Sequence, residues 1–360
     1  MGNCNSGVYN DSVSATELNN DIEVLSSIHK GSILGMASSL KDRCFYTCSD
    51  DKRIAKIVLD SNKWRVQKYF DGHVKSVNRI CINEDNTSLW SASRDLSLKQ
   101  WNVTYDESGE NCEKCLQTFA NAHTLNIADV TTNKNGDRVF SGSRDYSVKI
   151  WDTQNGKCTS EFTVPRNVVT CLTIDASDDT LLYQGSEDLC VRVWDIRSSS
   201  RQPVMQLSDY VYFPISVSLH SSKNYLVTGS KGFNSTGCEL KLMDLRMSGK
   251  VVTEFKGHSQ DVTGCKFYEN CIVSCSKDGS VYIWEMNDDA PQQVTTTYKN
   301  KVLEDKLFTG VSLVDAGSKL KFTVSSFDGS ITLMCYNKAV NTLSSEILSE
   351  SYFTPNTLQG

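Results

Sequence analysis

Ser143-Arg144-Asp145-Tyr146-Ser147-Val148-Lys149-Ile150-Trp151 decides the fold. Its second half alternates in period two and ends on an aromatic residue, the pattern of a strand rather than a helix. The Ser-x-Asp head, with Trp six residues after the Asp, recurs at Ser93-Arg94-Asp95 with Trp101, Ser186-Glu187-Asp188 with Trp194 and Ser276-Lys277-Asp278 with Trp284. Two weaker copies keep the Asp and lose the Trp, Ser49-Asp50-Asp51 with Ile57 and Ser326-Phe327-Asp328 with Met334. One more strand, Leu240-Lys241-Leu242-Met243-Asp244, has its turn replaced by Gly232-Phe233-Asn234-Ser235-Thr236-Gly237-Cys238.

Taking position 237 for that unit, the spacings are 44, 50, 43, 49, 41 and 50 residues. Periods of about 40–50 residues belong to propeller blades, and to helical arrays too, so residue type must arbitrate. Val191-Arg192-Val193-Trp194 and Ser280-Val281-Tyr282-Ile283-Trp284 alternate like the first stretch. Turn signals at Asn135-Gly136, Asn155-Gly156, Asp278-Gly279 and Asp328-Gly329 cut the chain into short runs. The expected fold is all-β, a seven-bladed propeller in a single ring.

The chain has only five histidines, and four share one repeat position. His29, His73 and His123 each lie 22 residues before Asp51, Asp95 and Asp145, and His258 lies 20 before Asp278. These residues resemble the WD-repeat (WD40) family over nearly the whole chain. The resemblance implies a hydrogen-bonded chain in each complete blade: His73, Ser91, Asp95, Trp101; His123, Ser141, Asp145, Trp151; His258, Ser274, Asp278, Trp284. An Asp taken out of water needs such partners. His, Ser and Asp are also the components of a hydrolase triad, but a catalytic triad occurs once, not three times at a fixed period. In blade four, Arg166 is expected where the His would stand.

Ring closure is expected from Asp21 to Ile28, an outer strand of the last blade paired with a C-terminal strand, which removes an open edge. The expected organisation is a tail over 1–20, the propeller over 21–345 and a second tail over 346–360, with 339–360 open between strand and helix.

Totals set further bounds. Net charge is −6, which argues against a nucleic-acid partner, since that needs a basic footprint. The 14 cysteines are scattered singly, as at Cys81, Cys171, Cys190 and Cys265, and the first 30 residues hold no apolar run of signal-peptide length. They read as small apolar residues in a reducing compartment. No stretch approaches 18 apolar residues, the length of a spanning helix. Cys112 and Cys115 have zinc-like spacing without a second pair, and Gly229-Ser230-Lys231-Gly232 lacks the order of a phosphate loop. No metal or cofactor is expected. Trp64 and Trp90 fall outside the repeat position and are expected to pack within strands.

Met1-Gly2-Asn3-Cys4-Asn5-Ser6 fits the N-myristoylation pattern. One myristoyl chain binds a membrane only marginally, and no Lys or Arg precedes Lys30, so Cys4 is the expected second anchor as an S-palmitoyl site. A disordered tail that begins Met-Gly by accident is the alternative. Pro165 to Thr170, the Gly232 to Glu239 insertion and Leu242-Met243-Asp244-Leu245-Arg246 resemble the WD-repeat protein 31 group from about Ile22 onward. That resemblance implies a cytoplasmic, peripheral-membrane role in cilia or flagella, with regulators of small Arf-like GTPases and intraflagellar cargo.

In WD-repeat proteins the residue before each Asp lies on one face of the disc. Carried over, Arg94, Arg144, Lys277, Arg166 and Lys231 would form a basic ring, with Asp50, Glu187 and Phe327 beside it, suited to acidic or phosphorylated protein segments. The competing expectation pairs each Arg with a neighbouring blade's carboxylate. The function expected is a non-enzymatic protein-interaction scaffold, a monomeric ring within a complex. The alternatives are a G-protein-β-like subunit, for which residues 1–28 show no heptad, and a substrate-recruiting subunit of a ubiquitin ligase.

Overall fold

The computed structural model describes residues 24–25, 28–39, 44–60, 63–103, 115–175, 179–198, 200–286, 294–300, 306–316, 320–337 and 342–344. Gly2, Cys4, Cys112 and the expected tails over 1–20 and 346–360 lie outside these residues.

The described strands form seven antiparallel sheets, one per blade, each numbered from the inside as strands a to d. Blade one is Ile33–Ser39, Cys44–Ser49, Ile54–Asp60 and Lys63–Phe70, and blade two Val77–Ile82, Ser88–Ser93, Leu98–Asn102 and Cys115–Phe119. Blade three is Ile127–Thr132, Arg138–Ser143, Ser147–Asp152 and Lys157–Thr163, and blade four Val169–Ile174, Leu181–Ser186, Cys190–Asp195 and Met205–Leu207. Blade five is Pro214–Leu219, Tyr225–Ser230, Leu240–Asp244 and Lys250–Phe255, and blade six Gly264–Tyr268, Cys271–Cys275, Val281–Met286 and Val294–Asn300.

Blade seven takes strands a to c from Phe308–Ala316, Leu320–Ser326 and Ile331–Asn337. Two short strands share its outer edge. Val24 and Leu25 pair with Thr332 and Ile331, while Thr342, Leu343 and Ser344 pair with Asn337, Tyr336 and Cys335. Both ends of the ring therefore close on one blade, and the 339–360 stretch left open by the sequence contributes a strand at Thr342–Ser344.

The apolar core is not central. It is divided into seven clusters, each between two adjacent blades. This explains the composition of the b strands. Cys44–Ser49 is buried at every position, and Ser88–Ser93 at all but the first, because neighbouring blades cover both faces. A residue facing the next blade must then be small. An added Cβ would fall 2.4 Å from Val169 Cγ1 at Gly142 and 2.7 Å from Val262 Cγ1 at Gly229.

Strand a lines the axis, and polar contacts join each a strand to the next. Arg79 donates to the Leu34 carbonyl. Asn78 donates to Ile127 O at 2.6 Å, the Leu172 amide donates to Asp129 Oδ2 at 2.7 Å, and Thr170 to Pro214 O at 2.6 Å. Ser216 donates to Val262 O at 3.2 Å, Thr263 to Phe308 O at 2.9 Å, and Ser312 to Ser38 Oγ at 2.8 Å. All seven junctions are thus fastened at the inner edge, where blades converge.

Gly142→Ala is expected to destabilise the ring by about 1–3 kcal/mol through overpacking against Val169. Urea unfolding checks this; an unchanged midpoint would show that the blades can separate to admit a methyl group.

Candidate functional site

One end of the ring carries the b–c turns and the d–a loops. The residue before each turn Asp is placed by a bond that repeats around the whole ring. The amides of Asp50, Arg94, Arg144, Glu187, Lys231, Lys277 and Phe327 donate to the carbonyls of Ser32, Ser76, Asn126, Val168, Phe213, Asp261 and Leu307, at 2.8–3.1 Å. Seven equivalent positions therefore circle the channel mouth. The residue after each Asp is left-handed: Lys52, Leu96, Tyr146, Leu189, Gly279 and Gly329 have φ between 65° and 80°. For the four that are not glycine this conformation is unfavourable and persists because the surrounding bonds over-determine it.

Those bonds converge on the Asp. In blade two, Trp101 Nε1 donates to Ser91 Oγ at 2.9 Å, Ser91 Oγ lies 2.7 Å from His73 Nε2, and His73 Nδ1 lies 2.8 Å from Asp95 Oδ2. With the indole donating to the hydroxyl, the hydroxyl proton goes to Nε2, and the imidazole donates from Nδ1 to the carboxylate. The backbone amides of Val74 and Ser97 and the Ser97 hydroxyl complete the Asp95 shell. Blade three repeats it, with Trp151 to Ser141 at 2.9 Å, Ser141 to His123 at 2.7 Å and His123 to Asp145 at 3.0 Å. In blade six, Trp284 to Ser274 is 3.0 Å and Ser274 to His258 is 2.9 Å, but Nδ1 of His258 stands 3.6 Å from Asp278. The Ser280 hydroxyl bridges that gap, 2.8 Å from His258 Nδ1 and bonded to Asp278 Oδ1.

Burial pushes the carboxyls of Asp95, Asp145 and Asp278 up, but the bonds from histidine, serine and backbone amides outweigh it and hold all three well below the usual carboxylate range. Each is an anion held by donors.

The remaining blades reach a similar end with other residues. Blade one bonds His29 to Asp51 at 3.0 Å and to Thr47 at 2.9 Å, with Ile57 in the Trp position. Blade four requires a correction. Arg166 does not fill the histidine position; it is exposed, with φ 64°, and buried Asn167 takes the place. Trp194 donates to Gln184 Oε1 at 2.9 Å, and the Gln184 amide donates to Asn167 Oδ1 at 2.5 Å. The cation comes from strand c instead, where the buried Arg192 guanidinium makes a two-armed bond to Asp188, at 3.1 and 2.5 Å, and a third to Asn167. In blade seven Lys306 bonds to Asp328 and, at 2.6 Å, to Ser330. Blade five has no turn Asp; Tyr210 lies 3.0 Å from Thr228 Oγ1, and the Gly232 amide is accepted by Asp261 of the next blade at 3.0 Å.

Of the two expectations for the rim, three cations follow the pairing with carboxylates. Arg94 stands 3.8 Å from Asp50 of blade one, Arg144 stands 3.5 Å from Glu187 of blade four, and Lys277 lies 2.7 Å from Asp261. Most of the rim is thus self-neutralised. Lys231 instead lies 5.0 Å from the centre of the Phe213 ring, and Phe327 is exposed.

Comparison with known proteins agrees with this geometry. Residues 64–102, 113–152, 156–195 and 249–285 match the family described as WD domain, G-beta repeat. Each matched segment runs from strand d of one blade through strand c of the next, and the four end in the blades that keep Trp101, Trp151, Trp194 and Trp284. The chain is a seven-bladed propeller that carries WD40 repeats. It is also 29% identical over 92 residues, 24% of its length, to the ribosome biogenesis protein WDR12 homolog of Arabidopsis thaliana. The corresponding protein of Oryza sativa subsp. japonica is 27% identical over 92 residues. The match spans about a fifth, 21%, of the length of either relative.

The offset between repeat and blade is what interlocks the WD40 ring, and it has a packing counterpart that the sequence reading missed. An aromatic residue at or next to the end of strand d sits on the next blade's Trp: Phe70 on Trp101, Phe119 on Trp151, Phe162 on Trp194 and Phe255 on Trp284, at 4.9–5.7 Å between ring centres. Phe three residues before His73 and His258 was the available signal. Trp64 and Trp90 do pack in strands, against Phe45 at 5.2 Å and Phe119 at 5.5 Å.

The axial channel of the WD40 ring encloses about 360 Å³ and is lined by all seven a strands. Cysteines contribute to its wall as neutral groups. Burial pushes the thiols of Cys81, Cys171 and Cys265 up, that of Cys171 to about 12, so they stay protonated and unreactive at neutral pH. Asp129, in the same wall, is raised by burial as well.

Carboxylates with depressed pKa values stabilise the fold fully above the unfolded value near 4 and lose that contribution as pH falls through the folded values. Stability is therefore expected to hold from pH 7 to about pH 4 and fall below it. Asp145→Asn should lower stability at pH 7 by about 1–3 kcal/mol and make the acid loss shallower. Denaturant unfolding across pH checks this; parallel curves for the two proteins would contradict it.

Proposed function

We propose that this WD40 propeller is a protein-interaction scaffold that works through the face carrying the b–c turns and d–a loops. One observation carries the reading. Among the described residues twelve large apolar side chains are exposed, and nine of them lie on this face: Val74, Leu125, Tyr146, Leu189, Val211, Tyr212, Phe233, Leu307 and Phe327. Leu116, Val204 and Met247 are the others. Apolar groups concentrated on one rigid surface, among charges that already neutralise each other, suit burial against another protein. The buried His-Ser-Asp sets hold that surface in shape and are not a reaction centre.

Tyr146→Ser combined with Phe327→Ser is expected to remove most proteins co-purifying with the intact chain, while Leu116→Ser with Val204→Ser leaves them in place. Quantitative mass spectrometry of affinity captures makes the comparison, and loss confined to the second variant would contradict the assignment.

The tether is a separate proposal. Gly2, Cys4 and Ser6 support dual acylation of the N-terminus. The resemblance of the blade-five insertion to the WD-repeat protein 31 group supports a place in ciliary trafficking with regulators of small GTPases. Labelled myristate is expected to be incorporated, and Gly2→Ala to release the protein from membranes; an unchanged membrane fraction would contradict the tether.

A further inference from the structure

Blade five breaks the pattern of its neighbours in two ways that meet at one place. Its turn Asp is replaced by a miniature hairpin. The amides and carbonyls of Phe233 and Thr236 exchange two bonds of 3.0 Å, and Asn234 and Ser235 between them are both left-handed, with φ of 50° and 60°. This is the mirror-type turn of a tight two-residue hairpin. The hairpin is fixed from outside as well. The Ser235 amide donates to Ser259 O of blade six at 3.0 Å, and Phe233 forms a bridge with Gln260. At its base Gly237 has φ +73°, and an added Cβ would fall 2.2 Å from the ring of Tyr212. Tyr212 therefore packs against the base of the hairpin.

The construction holds three apolar side chains in solvent. Phe233 is 66% exposed, Val211 62% and Tyr212 40%. A surface ordered before contact avoids the entropy of ordering on contact, the property of an interface anchor. The charge at this sector is also distinct. Arg94, Arg144 and Lys277 each face a carboxylate, whereas no carboxylate among the described residues lies within ion-pair distance of Lys231. An uncompensated cation beside an apolar shelf, on a chain of net charge −6, selects for an anion joined to an apolar group.

We infer that blade five docks a linear peptide segment in which an Asp or Glu stands close to a bulky apolar residue. The apolar side chain covers Phe233 and Tyr212, and the carboxylate pairs with Lys231. This rests on the reading of the face as protein-binding and narrows it to one sector and one partner chemistry.

A displayed random dodecapeptide library, selected on the intact chain, tests it. Enriched peptides are expected to carry an acidic residue within about three positions of Leu, Ile, Phe or Trp. Phe233→Ser and Lys231→Glu should each weaken them at least tenfold, while Phe327→Ser leaves them within twofold. Lys231→Glu should regain affinity when the peptide's acid is changed to Lys, a reversal that a misfolded variant would not give. Peptides that ignore Phe233→Ser yet are lost in Phe327→Ser overturn the blade-five assignment and leave the face intact; peptides indifferent to both overturn both. Enrichment without acidic preference overturns the role of Lys231. Self-association in sedimentation that disappears in Phe233→Ser gives the shelf to a second copy of this chain and overturns the peptide.

Discussion

A carboxylate taken out of water at the end of a strand is the constraint around which this ring is organised. Such an anion is tolerated only when donors surround it. Asp95 meets this with His73, the Ser97 hydroxyl and two backbone amides. One of those amides comes from the d–a loop, so satisfying the charge also pins that loop to the b–c turn. The same imidazole reaches Ser91, and Ser91 reaches Trp101, which lies under Phe70 of the preceding blade. One electrostatic requirement thus couples the turn, the sheet and the next blade.

The donors are interchangeable while the requirement is not. His29, His73 and His123 serve three blades, a hydroxyl relay from His258 a fourth, the Arg192 guanidinium a fifth and Lys306 a sixth. Where the Asp is absent, in blade five, the turn is free to become something else, and it has become a hairpin that presents Phe233. The structural device and the functional surface are therefore alternatives at the same repeat position. Blades that keep the Asp supply rigidity, and the blade that loses it supplies Phe233, the most exposed aromatic group among the described residues.

Most of the architecture was legible because both the period-two strands and the fixed His-to-Asp distance follow from geometry that repeats. What failed to read is what does not repeat. Counting 22 residues back from Asp188 lands on Arg166, whereas the side chain that matters is Asn167, with its cation delivered from Arg192 across the sheet. Counting cannot see a partner supplied by another strand. The rim cations were legible as a set, but their pairing with Asp50, Glu187 and Asp261 crosses between blades or loops and has no local signature. The hairpin was visible only as an insertion that replaces the turn, and its seat on Ser259 and Gln260 is a tertiary contact.

The turn carboxylates make this face one rigid surface. Native-state amide hydrogen exchange at Asp50, Arg94, Arg144, Glu187, Lys231, Lys277 and Phe327 tests it most directly, since each amide is bonded to a d–a loop carbonyl. These amides are expected to exchange only through large-scale opening, with protection approaching that of the buried b strands. Exchange at the rate of a freely solvated loop, with the b strands still protected, would contradict it.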